Sequence, residues 1–159
     1  METTLQPGPA ASPVRQLAGF IAGFDRSIAR LARAVHAALR RHLPTAVELV
    51  YENDNALAIG FGPTERIGDV IVSMGVYARA IDLCFTQGAR LPDPRGLLFG
   101  SGQGRFLRLA DAAVIGRPEV ETLLATAVAL SKVPLPTSGR GYTVIKSVSV
   151  RPRPRRPPR

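Results

Sequence analysis

Apolar residues recur at spacings of three and four along the first part of the chain: Leu17, Phe20, Ile21, Phe24, Ile28, Leu31, Val35 and Leu39. That period puts them on one face of a helix. Ser12 before Pro13 supplies an N-cap followed by proline at the first helical position. Pro44 ends the run, because the residue before a proline is driven out of the helical region. The pattern predicts one long amphipathic helix, with Arg26, Arg30, Arg33, Arg40 and Arg41 on its sides and back.

The period then drops to two. Val47, Leu49 and Tyr51 alternate, Asn53-Asp54-Asn55 makes a turn, and Leu57, Ile59 and Phe61 continue as a second strand. The other side of that strand carries only Ala and Gly, which predicts close packing there by the long helix. Residues 70–77, 81–86 and 105–109 read as three further strands. Their short links favour antiparallel hairpins, since parallel neighbours need crossovers of about a dozen residues or more. Pro118 opens a second helix, with Glu119 and Glu121 in its first turn and Lys132 near its end, both suited to the macrodipole. Residues 142–150 have the β-branched character of an edge strand. Helix, run of strands, helix predicts an α+β fold: a five- to six-stranded, mainly antiparallel twisted sheet with both helices on one face.

Composition adds the boundaries. A chain of 159 residues with 45% hydrophobic content fits one domain, taken as residues 12–150. Residues 1–11, rich in Pro, Gly and Thr, read as a disordered lead, and residues 151–159 as a solvated, extended tail. Net charge is +9, of which Arg151, Arg153, Arg155, Arg156 and Arg159 contribute five positive charges with no acid among them. The folded body is thus only mildly basic, and the nucleic-acid candidate is the tail, which would meet phosphates without reading sequence. The single cysteine, Cys84, reads as a small buried hydrophobe and fits a reducing cytoplasm. No secretory signal is visible and no apolar run is long enough to span a bilayer, so a cytoplasmic location without membrane insertion is expected.

Candidate chemistry concentrates in Gly100-Ser101-Gly102-Gln103-Gly104-Arg105. Successive backbone N–H groups there would curl around an anion, with Arg105 or Arg79 supplying charge. The loop is neither a P-loop nor a dinucleotide fingerprint: Gly-Lys-Ser/Thr is missing, and a strand follows instead of a helix. The bland alternative is a turn that needs positive φ. His36 and His42 lie six residues apart, off the i, i+4 spacing of paired metal ligands, and take structural or surface roles. Glu48, Glu52 and Asp54, or Glu65 and Asp69, offer oxygens to a hard cation but read better as a solvated face. Nothing places a His and an Asp beside Ser101, so nucleophilic catalysis is unsupported. No catalytic residue, metal site or cofactor is assigned, and oligomeric state is left open. The residues point to a non-enzymatic binding module for a small anionic molecule or a protein partner, contacted through Arg79, Gly100, Ser101, Gly102, Gly104 and Arg105.

Leu43-Pro44-Thr45-Ala46-Val47-Glu48-Leu49-Val50-Tyr51-Glu52-Asn53, then Asn55-Ala56-Leu57-Ala58-Ile59-Gly60-Phe61-Gly62, then Leu91-Pro92-Asp93-Pro94 with Gly100-Ser101-Gly102 resemble the YdhG-like proteins, a bacterial domain of unknown function. The likeness covers roughly residues 14–132. It implies a helix–sheet–helix fold similar to frataxin, and, from one branch of the family, intracellular iron handling. This chain departs from the pattern at Gln103 and Gly104, where a basic or bulkier pair is usual. Phe106 or Leu107 stands where His is common, and an acid-rich surface is not evident.

Overall fold

A computed structural model describes residues 11–149; the expected disordered lead and the basic tail lie, all but Ala11, outside the described residues. The fold is α+β, with three α-helices and one open six-stranded sheet. In chain order come α1 (Pro13–Ala22), α2 (Arg26–His42), β1 (Val47–Glu52), β2 (Leu57–Gly62), β3 (Val72–Val76), β4 (Ile81–Phe85), β5 (Arg105–Arg108), α3 (Pro118–Leu130) and β6 (Thr143–Val148). The sheet order is β5-β4-β3-β2-β1-β6. Strands β1 to β5 pair antiparallel in chain order, over short links up to β4 and across the long 86–104 connection to β5, while β6 returns from α3 to lie parallel to β1 at the edge.

The single long helix is in fact two. Gly23 caps α1 through N–H bonds to the Ile21 and Phe20 carbonyls. Asp25 then starts α2, its Oδ2 accepting from the Ser27 N–H at 3.2 Å and the Ser27 hydroxyl at 2.8 Å. Phe24, fully buried, continues the apolar stripe across the break. Periodicity alone could not show the break, because the buried phase is the same on both sides of it. Ser12 and Pro13 do start the first helix as read, with the Arg15 N–H bonded to Ser12 Oγ. At the other end, Lys132 falls two residues beyond α3 and outside its last turn.

The alternation in β1 misleads about direction. Glu48, Val50 and Glu52 pair with Phe61, Ile59 and Leu57, so they share the side that holds the main core. Val47 and Leu49 are buried on the reverse side, against Gly62 and Gly60. The small residues of β2 therefore do not receive the helix. They admit the 63–70 connection, which folds back so closely that a methyl on Gly62 would meet the Asp69 carbonyl oxygen at 2.8 Å. Backbone takes that space because only a glycine surface lets a chain approach so near.

One apolar cluster joins Leu17, Ile21 and Phe24, then Ala32, Val35 and Leu39, then Val120, Leu123 and Leu124, to strand residues such as Ile59, Met74 and Leu83. At about 25 cal/mol per Å² of apolar surface, burial of such Leu, Ile and Phe side chains is the main stabilising term of the fold. A 3-10 turn, Ala112–Gly116, is held by Asp111 Oδ1 accepting from the Ala113 N–H and packs Ile115 into the core. Cys84 is half-buried on the reverse side, where burial pushes its thiol up from the usual range despite a hydrogen bond with Ser73. No helix among the described residues is long and apolar enough to cross a membrane.

Candidate functional site

The expected loop residues do not all lie together. Arg105 pairs with Phe85 at one end of β4, whereas Arg79 lies in the β3–β4 turn beyond Ile81, at the other end. About 13 Å of strand separates them. Arg105 Nε donates to the Gly102 carbonyl at 2.7 Å, so it closes the loop on itself. Phe99 and Phe106 exchange backbone hydrogen bonds around the turn, and the Ala89 N–H holds the Gln103 carbonyl. Gly100 has φ +113, the left-handed region that glycine tolerates, whereas Gly102 and Gly104 do not take up positive φ. Asp93 organises the approach, its two carboxylate oxygens accepting from the Leu97 and Leu98 N–H groups at 2.9 Å.

Polar chemistry gathers instead where α1, α2 and the start of β6 meet. An open groove of about 1030 Å³ runs there. One wall is apolar, from Val14, Leu17, Ala18 and Ile21 of α1. The other carries Arg33, His36, Arg40 and Arg41 of α2, and Arg140 and Tyr142 enter from the segment before β6. The spacing explains the second wall: Arg33, His36 and Arg40 lie three and four apart, hence on one side of α2.

Glu48 forms the floor and is only 1% exposed. His36 Nε2 lies 2.8 Å from its Oε1, Arg40 Nε 3.5 Å from the same oxygen, and the Thr143 hydroxyl donates to Oε2 at 2.9 Å. Burial pushes the Glu48 carboxyl up, but the His36 hydrogen bond and charge, the Arg40 charge and the Thr143 hydroxyl together outweigh it. The carboxyl is held below its ordinary range, ionised at neutral pH. Arg40 also donates to the Ala46 carbonyl at 2.6 Å. Glycine at 141 is obligatory: a Cβ there would lie 1.7 Å from the Ala46 carbonyl oxygen, and the Gly141 N–H is bonded to the Pro44 carbonyl at 2.9 Å. That close approach brings Arg140 and Tyr142 to the groove. Tyr142 donates to Glu65 Oε2 at 3.1 Å, which holds its hydroxyl proton more tightly than usual.

Three arginines at the groove are uncommitted. Among the described residues Arg33, Arg41 and Arg140 have no carboxylate partner, whereas Arg40 is turned to Glu48. The sequence reading missed Glu48 as a buried anchor and did not single out Arg140. His36 and Arg40, four apart on a helix that leads directly into a Glu-bearing strand, were the available signal. Arg140 had none, because its place depends on β6 returning beside β1.

The other candidates stay apart. Glu48 and Glu52 sit at opposite ends of β1, and Asp54 is bonded to the Ser149 hydroxyl. Asp69 accepts from Thr64 at 2.6 Å. Among the described residues no three His, Cys, Asp or Glu side chains come together to hold a metal ion. His42 joins the end of α2 to α3, with Nδ1 2.9 Å from the Ala38 carbonyl and Nε2 3.3 Å from Glu121 Oε1. No protein-family model, curated protein or solved structure matches this chain.

Proposed function

We propose that the protein is a small, non-enzymatic binding module that takes an amphipathic anion, a hydrocarbon chain ending in a carboxylate or phosphate, in the α1–α2–β6 groove. The observation that carries this reading is the pairing of an apolar wall with the uncommitted Arg33, Arg41 and Arg140 in one open groove. Apolar lining with a few converging charged groups is the usual make-up of a small-molecule site. Guanidinium groups match carboxylate and phosphate oxygens two at a time. Glu48 serves as a positioning residue: its ionised carboxylate holds His36 and Arg40 and keeps the second wall upright.

The reading keeps the anionic ligand expected from the sequence and moves it from Arg79 and the 100–105 loop to the groove. It is compatible with the YdhG-like resemblance and with a frataxin-like arrangement, helices together on one face, for which the single apolar cluster is the support. It goes with a reducing cytoplasm, where one half-buried thiol suffices.

Thermal unfolding in the presence of decanoate, decyl phosphate and decanol tests it. The two anions should raise the melting temperature, the neutral alcohol should do so much less, and Arg140→Ala should remove most of the anion effect. No shift with either anion overturns the reading. A shift that Arg105→Ala abolishes and Arg140→Ala leaves intact returns the site to the loop.

A further inference from the structure

The solvent side of α2 carries a second feature, independent of the groove's apolar wall. Its arginines fall at 26, 30, 33, 40 and 41. At 100° per residue all five lie within a stripe about 100° wide, directly opposite Val35, whose side chain is fully buried. Arg40, on the flank, leans in to Glu48 and the Ala46 carbonyl. Arg26, Arg30, Arg33 and Arg41 stay exposed, and none has a carboxylate partner among the described residues. Within the 17 residues of α2 there is no acidic side chain at all, and the only one at its start, Asp25, is used as the N-cap. An exposed helix on an ordinary protein surface interleaves both signs, because like charges three and four apart repel. Here the repulsion is left uncompensated.

We infer that this ridge binds the sugar-phosphate backbone of a duplex nucleic acid, without reading its sequence. From Arg26 to Arg41 the ridge is about 22 Å long, the axial rise of about six base-pair steps of a duplex. A rigid row of four guanidinium groups complements a row of fixed phosphates, and arginine grips phosphate oxygens in pairs. An anionic membrane is the competing polyanion, and the structure disfavours it. An interfacial helix needs large apolar side chains flanking its cations, yet on α2 itself only the small Ser27, Ala34 and Ala37 stand exposed between these arginines, and its apolar face is buried in the core. Nothing along the ridge offers Asn, Gln or an acid to base edges, so binding depends on charge and spacing alone.

The test uses the full chain and a random-sequence DNA duplex of about 20 base pairs, followed by fluorescence anisotropy from about 50 to 200 mM salt. Arg26 and Arg30 do not line the groove, so the double variant Arg26→Gln, Arg30→Gln leaves the amphipathic-anion reading untouched. Four phosphate contacts give a salt slope of about −3.6, and the double variant should flatten it by about 1.8 and weaken binding at low salt by roughly tenfold or more. A second variant, Arg151→Ser, Arg153→Ser, Arg155→Ser, Arg156→Ser, Arg159→Ser, removes the tail charge and should retain the ridge-dependent part of the slope. The Arg26, Arg30 variant should melt like the parent, since both side chains are exposed, and melting of the tail variant is measured alongside it. The inference is overturned if the double variant binds as the parent does, if the tail variant loses all binding, or if no duplex binding is seen at low salt. Binding to phosphatidylserine vesicles without binding to the duplex overturns it in favour of a membrane.

Discussion

The 100–105 loop and the 140–143 segment look alike in composition, each setting glycine and arginine ahead of an edge strand. They behave differently. Arg105 bonds to a carbonyl three residues back in its own turn, whereas Arg140 is carried into a groove built by two helices and another strand. The first glycine segment is a local device that reverses the chain beside β4. The second is a contact device: Gly141 lets two distant backbones touch, and the side chains on either side of it gain neighbours far away in sequence. Flexibility and charge in one stretch gather only local partners, whereas convergence of separate elements brings distant side chains together.

The widest contrast should come from substituting the two glycines directly. Gly141→Ala must push the 140–143 segment off Ala46 and should cost about 3 kcal/mol, the upper end for inserting a group where no room exists. Gly102→Ala meets open space and should stay within about 0.5 kcal/mol. Denaturant unfolding of both checks the pair, and equal losses would erase the contrast drawn between the segments.

The charged anchors divide in the same way. Glu48→Ala leaves His36 and Arg40 facing an empty floor and should destabilise by about 3 kcal/mol, as when one member of a buried ion pair is removed. Arg105→Ala loses one exposed hydrogen bond and should cost about 0.5 kcal/mol.

The same carboxylate sets a pH dependence. Its folded-state pKa is depressed below the ordinary 4.5, so its stabilising contribution is complete above that value and disappears as pH falls through the lower folded value. The stability gap between the parent and Glu48→Gln should therefore be constant from neutrality to about pH 5 and narrow in more acid solution, measured by urea unfolding at several pH values. A gap that widens on acidification would contradict the depressed pKa. The angle at which α1 meets α2, and so the groove's apolar wall, depends on a single cap. Asp25→Ala removes the N-cap bonds to Ser27 and should cost about 1 kcal/mol, with a matching loss of decanoate-induced stabilisation if the wall splays.

Much of the architecture was open to reading from the chain. The helical period of residues 17–39, the proline signals at 13, 44 and 118, and the short links between strands led to an α+β fold with a mainly antiparallel sheet. These are local signals, fixed by φ restrictions and side-chain period, so no partner is needed to interpret them. The inward face of β1 could not be read, because Val47, Leu49 and Val50 are all apolar and alternation gives the period without the sign. The packing of the 63–70 connection on Gly60 and Gly62 was equally hidden, since a glycine-faced strand admits a helix or a loop.

The sequence by itself determined the order of helical and strand segments and the strongly basic side of α2, though not the α1–α2 break, because each depends on spacing within a short window. Only the tertiary structure decided that Glu48 is an anchored, ionised floor and that Arg140 joins Arg33 and Arg41. Those pairings cross from α2 to β1 and from β1 to β6, and they exist because a close backbone approach at Gly141 brings the end of the chain back beside its beginning.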